Sequence, residues 1–119
     1  MKIIDVPTRI LDIALLESRK TNVKKGRVSA LALDSWNVRH KTHNVKIMGH
    51  KDIFSIHAEH RLISKYRGII DTLLIYRNIN HKECATSRPC NKCMYMIKEA
   101  GVRFIIYYDG MNWIKEKIR

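Results

Sequence analysis

The sequence is poor in the residues that break up a chain, and it has no long apolar run. It contains two prolines and five glycines in 119 residues, and we find no stretch that would serve as a flexible linker. No apolar run approaches the roughly 20 residues that span a bilayer. The first residues carry acidic side chains and no small-residue cleavage site, which makes a poor signal peptide. We therefore predict one domain over residues 1–119, without a membrane segment, in the cytosol of the source cell or of an infected host cell.

Acidic residues are also scarce. The chain has 11 Asp and Glu against 23 Lys and Arg, which gives a formal net charge of +12. A charge of this size favours anionic partners through its long-range field, and both free nucleotides and nucleic acid strands qualify. Solubility alone would explain the same charge, so the charge does not choose among these partners.

Cysteines are few, and all three lie in one short stretch: Cys84, Cys90 and Cys93. An odd number argues against a disulfide framework and favours reduced thiols that can bind a metal. The C-x-x-C spacing of Cys90 and Cys93 also occurs in thioredoxin-like redox proteins, but that interpretation leaves the nearby histidine motif unexplained. If Cys84 were a fourth ligand, the cluster would be a closed, structural zinc site instead.

The chemistry is carried by two short motifs, His57-Ala58-Glu59 and Pro89-Cys90-Asn91-Lys92-Cys93. One imidazole and two thiolates can hold zinc while its fourth tetrahedral position stays open, which is typical of catalytic sites. We therefore predict His57, Cys90 and Cys93 as zinc ligands, although these ligand types do not exclude other metals. Glu59 is predicted to move protons for a zinc-bound water. The alternative for Glu59 is an exposed side chain that the helix dipole favours.

The hydrophobic periodicity predicts alternating helices and strands. We predict helices over residues 8–20, 57–67 and 90–100. Thr8 is the expected N-cap of the first helix, Pro89 belongs to the first turn of the third, and Gly101 ends it. Strands are predicted over residues 28–33, 36–38, 73–76 and 102–108. Residues 39–55 and 77–88 are predicted connections, and the last residues are not assigned. This order indicates an α/β domain with a central sheet flanked by helices.

The two motifs and their flanks, residues 35–60 and 86–108, resemble the cytidine and deoxycytidylate deaminase superfamily. Small phage and viral members of the deoxycytidylate type look most similar. The resemblance implies a three-layer fold with a mixed sheet of about five strands. It also implies zinc as the cofactor, hydrolytic deamination of a base, and a homo-oligomer.

The resemblance further implies a set of substrate contacts. Asn37 would contact the sugar, although a simple turn residue is the alternative. The backbone N–H of Ala58 would face the base, and Ser87 and Arg88 would line the pocket. We also predict that the cationic connection holds the 5′-phosphate through Arg39, Lys41, Lys46 and Lys51.

Our first functional prediction is an enzyme that converts a cytosine nucleotide, dCMP, to its uracil form. The first alternative is a polynucleotide deaminase acting on single-stranded DNA or on RNA, including tRNA. It is favoured by the +12 charge and by five aromatic residues that could stack on bases, Trp36, Tyr66, Tyr107, Tyr108 and Trp113. The second alternative is a non-catalytic zinc-binding module. The base itself stays open, because a histidine at position 57 is also typical of adenosine and guanine deaminases.

Overall fold

The computed structural model describes residues 1–22, 26–48, 53–66, 68–79 and 83–119. In this part of the chain the elements follow one another in the order β1 (Lys2–Ile4), α1 (Thr8–Ser18), β2 (Arg27–Asp34), β3 (Asn37–His43), β4 (Val45–Met48), β5 (Ile53–Ile56), α2 (Ala58–Tyr66), β6 (Thr72–Ile79), β7 (Glu83–Ala85), α3 (Asn91–Glu99), β8 (Phe104–Tyr108) and β9 (Trp113–Lys117). No helix in these ranges combines the length and apolar character of a membrane span.

The main sheet has the strand order β1-β9-β8-β6-β2-β3, and the short β7 also pairs with β6. Strands β6 and β8 run parallel, whereas the other neighbours are antiparallel. Strands β4 and β5 form a separate antiparallel pair. The predicted mixed sheet is confirmed, and its main path contains six strands where about five were predicted.

The helices cover both faces of this sheet. Side chains of β2 alternate between the two faces because successive residues of a strand point in opposite directions. Ala30 and Ala32 belong to the core beneath α2 and α3, whereas Leu31 and Leu33 belong to the core beneath α1. A strand buried on both faces reads as a continuous apolar run, which is why β2 was predictable. The three-layer α/β fold is thus confirmed.

The helix ends agree only in part with the predicted ones. Thr8 is the first residue of α1 and Pro7 is its N-cap, so Thr8 was wrongly predicted as the cap. Pro89 precedes the N-cap of α3, which is Cys90, and therefore lies outside the first turn. Gly101 does follow the C-cap of α3, with a φ of +93° that a glycine adopts without strain.

The prediction of a connection over residues 39–55 was wrong, because it contains most of β3, all of β4 and most of β5. Strand β3 lies at the edge of the main sheet, and its exposed positions carry charged residues such as Arg39 and Lys41. Charges on edge strands are common because they discourage pairing with other chains. The same charges made this strand look like a loop.

Candidate active site

The two motifs lie at the beginnings of α2 and α3, which pack on the same face of the sheet. His57 directly precedes α2, and Cys90 caps α3 with Cys93 in its first turn. Buried residues of both helices, including Leu62 and Ile97, belong to one core cluster. This shared core brings the two helix starts together.

The side chains of His57, Glu59 and Cys93 form one cluster, with a ligand atom from each within 4.8 Å of the others. The Cys93 Sγ lies 3.3 Å from the His57 Nδ1, and the Glu59 Oε1 lies 3.7 Å from the same nitrogen. Cys93 and Glu59 are buried, whereas His57 and Cys90 are exposed. Cys90 lines the same cavities as His57. The structure thus brings the predicted ligands to one place.

The two thiols of the cluster differ in acidity. Hydrogen bonds from the backbone N–H and the side chain of Cys93, and from the backbone of Lys92, lower the pKa of Cys90. Burial, followed by the neighbouring Cys90, raises the pKa of Cys93 to about 12. The nearby carboxylate of Glu59 raises the pKa of His57. Since a metal binds thiolates and neutral imidazole, metal binding here must release protons.

The donor set fits a zinc ion. Thiolate sulfur and imidazole nitrogen are the usual ligands of zinc, and three of them leave one position open. The Oε2 atom of Glu59 is buried and has no hydrogen-bond partner among the described residues. A buried carboxylate oxygen without a donor is unusual in a native fold, so this oxygen is available to a group from outside the chain.

Two adjoining cavities open at the cluster, and both are lined by His57 and Cys90. The larger one has a volume of about 470 Å³ and is also lined by His60, Lys92, Cys93, Tyr95 and Met96. The smaller one has a volume of about 150 Å³ and is also lined by Val28, Glu59, Ile75, Arg77, Thr86, Ser87, Arg88 and Pro89. A third cavity, of about 580 Å³, lies near Asp34 and Asp71 and contains none of the predicted ligands.

Two of the predicted substrate contacts line the smaller cavity, Ser87 and Arg88. Ser87 is buried and tied to the end of β8: its N–H donates to the carbonyl of Tyr108, and its Oγ accepts from the N–H of Tyr108, both at 2.9 Å. Ala58 is fully buried, and its carbonyl accepts a hydrogen bond from the Oγ1 of Thr42 at 2.7 Å. These bonds fix the segments that precede α3 and begin α2.

The structure does not bring Asn37, the predicted sugar contact, to the cluster. Asn37 follows the turn between β2 and β3, where Ser35 and Trp36 have positive φ angles. Val28, which lines the smaller cavity, lies near the opposite end of β2. At about 3.3 Å per residue, the two ends are roughly 20 Å apart. Within one chain, Asn37 is therefore the first residue of β3 and lies far from the cluster.

The structure also places Arg39 and Lys41, two of the predicted phosphate-binding residues, away from the cluster. Lys41 pairs with Leu31 and so faces α1, where its Nζ lies 4.0 Å from the Oε1 of Glu17. Arg39 forms an ion pair with Asp34, 3.3 Å away at the far end of the sheet. The prediction assumed a loop, whereas a strand sends alternate side chains to opposite faces. The side chain of Lys46, and Lys51 altogether, lie outside the described residues, as does the side chain of Cys84.

Sequence reasoning missed two residues near the cluster. Asn44 follows β3, and its buried side chain donates to the carbonyl of Gly26 at 2.9 Å and accepts from the N–H of Val28 at 3.0 Å. Arg77 lies on β6 and lines the smaller cavity. The available signal was its place two residues after Ile75 and four after Leu73, because those residues face the core beneath α2 and α3.

Comparison with known proteins agrees with this architecture. The dCMP deaminase from the cyanophage S-TIM5, solved with dCMP and dUMP, superposes with a TM-score of 0.61 at 22% identity, covering 82% of this chain and 76% of that chain. Its apo form gives a TM-score of 0.59 at 24% identity, covering 82% and 78%. No curated protein sequence matches the chain.

The match to a family model is the more specific finding. The model described as "Cytidine and deoxycytidylate deaminase zinc-binding region" matches residues 6–109, which contain both motifs. The structure adds a cluster of His57, Glu59 and Cys93 that could hold a metal. The chain therefore belongs to the cytidine and deoxycytidylate deaminase family, and it is a zinc-dependent hydrolase.

Proposed function

We propose that the chain converts dCMP to dUMP by hydrolytic deamination. The observation that carries this proposal is the environment of Glu59, which is 5% exposed and has an unpartnered Oε2 beside His57 and Cys93. Leaving a buried polar atom without a partner costs free energy. A carboxylate kept in that state beside a metal-type cluster fits a proton carrier better than a structural residue.

His57, Cys90 and Cys93 are the residues that would hold the zinc. Bound zinc supplies Lewis acidity, which lowers the pKa of a water enough for it to act as a nucleophile near neutral pH. Cys90 already has a lowered pKa because N–H groups of the first turn of α3 donate to its sulfur. The helix start therefore favours the thiolate form of Cys90.

Glu59 has two proton transfers to perform. It accepts a proton from the attacking water and gives it to N3 of the cytosine ring, while the water oxygen bonds to C4. It then takes the remaining hydroxyl proton and delivers it to the amino group. The bond between C4 and that nitrogen breaks, and ammonia leaves. The products are a uracil nucleotide and ammonia, so atoms and charges balance.

The choice of dCMP is supported by the fold, which is shared with a phage enzyme solved with dCMP and dUMP. The specific observation that favours a polynucleotide instead is the net charge of +12. A strand substrate would require cationic side chains that follow its backbone away from the cavity, together with bases stacked on aromatic rings. The two proposals differ in the substrate that is turned over.

The test is ammonia release by the zinc-loaded protein over a panel of substrates. The panel contains cytidine, deoxycytidine, dCMP, dCTP, adenosine, guanine and a cytosine-containing single strand. We expect dCMP to be the preferred substrate. Preferred turnover of the single strand would replace dCMP with a polynucleotide, and turnover of adenosine or guanine alone would overturn the assignment of the base.

We also propose that copies of the chain form a homo-oligomer. The resemblance to the family supports this proposal, and so does Tyr95, which is 69% exposed beside the larger cavity. Sedimentation velocity should give a mass that is a multiple of 14.0 kDa. A single 14.0 kDa species at micromolar concentration would contradict it.

A further inference from the structure

Two arginines line the smaller cavity together with Glu59, although sequence reasoning had placed the phosphate site elsewhere. Arg77 is exposed and lies near the carboxyl end of β6, where it pairs with Val28. Arg88 is exposed and directly precedes Pro89. The two arginines therefore line one cavity from two different segments of the chain.

The two arginines differ in their partners. Among the side chains that the structure describes, which do not include that of Glu83 on the neighbouring strand β7, no carboxylate lies within ion-pair distance of Arg77. The Nη2 of Arg88 lies 3.4 Å from the Oε2 of Glu116, whose side chain is 14% exposed. Arg77 thus has N–H donors to offer to a group that enters the cavity. Arg88 has a single, relatively long ion pair.

Glu116 and Tyr107 both contact the side chain of Arg88. The hydroxyl of Tyr107 donates to the Oε1 of Glu116 at 2.9 Å, which leaves the Oε2 directed at the guanidinium. The guanidinium carbon of Arg88 lies 5.8 Å from the centre of the Tyr107 ring, within cation–π distance. Burial, and then the hydrogen bond to Glu116, raise the pKa of Tyr107, so its hydroxyl remains a donor. Because Tyr107 and Glu116 belong to paired strands β8 and β9, this support is rigid.

We propose that Arg77 and Arg88 form the phosphate-binding part of the active site, and that Glu116 and Tyr107 position Arg88 within it. The inference rests on the proposed deamination of a cytosine nucleotide. A guanidinium group offers paired N–H donors that match the oxygens of a phosphate. Two such groups beside Glu59 would bind the 5′-phosphate of a mononucleotide and thereby distinguish it from a nucleoside.

The test compares dCMP with deoxycytidine in wild type, Arg77→Gln, Arg88→Gln and Glu116→Gln. Each arginine variant should lower kcat/KM for dCMP by about 10- to 100-fold, the size of a charge-assisted hydrogen bond. The loss should appear mainly as a higher KM. The preference for dCMP over deoxycytidine should fall by the same factor. Glu116→Gln should lower the preference severalfold, because it removes the charge that anchors Arg88.

Two kinds of variant serve as controls. Arg9→Gln removes the same charge from an exposed position on α1 and should leave the preference unchanged. Arg77→Lys and Arg88→Lys keep the charge and should restore part of the preference. A general loss of fold would not be rescued in this way. Thermal unfolding of each variant identifies such a loss directly.

Several outcomes would overturn the inference. One is an arginine variant that retains the wild-type preference, and another is one that loses dCMP and deoxycytidine turnover equally. A loss confined to a cytosine-containing strand would assign the arginines to a polynucleotide backbone instead. If the wild type deaminates neither compound, the proposed function fails. The inference is then decided by calorimetry, which compares the binding of dUMP with that of deoxyuridine. If the wild type prefers dUMP and Arg77→Gln does not reduce that preference, the inference is refuted.

Discussion

Glu17 and Glu59 are both almost fully buried, yet their surroundings differ. The Oε2 of Glu17 lies 2.7 Å from the Nδ1 of His43, and its Oε1 lies 3.0 Å from the Nζ of Lys20. The Oε2 of Glu59 has no partner among the described residues. We infer that Glu17 joins α1 to β3 as a structural carboxylate, whereas Glu59 is kept free for chemistry.

The structural role of Glu17 predicts a stability effect that depends on pH. Burial raises the pKa of Glu17, but the hydrogen bonds from His43 and Lys20 and their charges outweigh it, so the pKa lies below its usual value of 4.5. Because this pKa is lowered by folding, the charged carboxylate stabilises the fold at pH values above the usual pKa. The stabilisation is lost as the pH falls through the lowered pKa of the folded protein. Glu17→Gln should therefore lower the free energy of unfolding by about 1.5–3 kcal/mol at pH 7 and by less at pH 3.

Urea unfolding at pH 7 and at pH 3 measures this difference. Asp12→Asn, at an exposed position of the same helix, is the matched control and should change little at either pH. A Glu17→Gln variant as stable as the wild type at pH 7 would contradict the structural role.

The motifs predicted which residues lie together, because the chemistry of a metal site dictates both the residue types and their separation. The structure brings His57, Glu59 and Cys93 into one cluster, and their roles remain predictions. The place of Asn37 in the fold was harder to predict, because it depends on which end of a strand the residue occupies. That position is set by the pairing of strands distant in sequence, which local patterns do not encode.

At the level of elements, helix α3 carries two of the predicted ligands, and the residue that ends it is specialised. Gly101 has a φ of +93°, and a Cβ built there would lie 3.6 Å from the Nη1 of Arg119. That distance is an ordinary contact, so the cost of a side chain comes from the backbone conformation. Gly101→Ala should lower the free energy of unfolding by about 1–2 kcal/mol.

Chemical denaturation of Gly101→Ala checks this expectation, with Lys98→Ala as a control at an exposed position of the same helix. The control should stay within about 0.5 kcal/mol of the wild type. An alanine at position 101 that leaves stability unchanged would show that α3 does not need the left-handed residue at its end.

The elements themselves were predictable in proportion to their burial. Strands β2, β6 and β8 contain runs of buried apolar residues such as Leu73–Tyr76, and such runs are visible in the sequence. Strand β3 lies at the edge of the sheet, and its first positions alternate between exposed and half-buried. Most of its residues are polar, so its composition resembles that of a loop. Strand β9 has few apolar residues, so its local sequence did not decide between a strand and a helix. Its pairing with β1 and β8 makes it a strand.

For the whole molecule, the net charge of +12 and the smaller cavity predict different responses to salt. The charge should produce weak binding to any single-stranded DNA at low salt, because neutralising phosphates releases counterions. That binding should fall steeply between about 50 and 200 mM salt. Turnover of dCMP should persist over the same range, because it depends on a few local contacts.

Fluorescence anisotropy of labelled single-stranded DNA and dCMP kinetics, measured in the same salt series, separate the two effects. Parallel loss of strand binding and of dCMP turnover would indicate that both use the same extended basic surface. It would argue for a polynucleotide substrate.

The central claim is that Glu59 carries the protons in a zinc-dependent deamination of dCMP. The most direct measurement follows dUMP and ammonia release by wild type and Glu59→Gln, with the zinc content of each protein determined. We expect the wild type to release ammonia and dUMP in equal amounts. Glu59→Gln should retain zinc while its kcat falls by about 10²- to 10⁴-fold. A zinc-loaded wild type without turnover, or a Glu59→Gln variant as active as the wild type, would contradict the account.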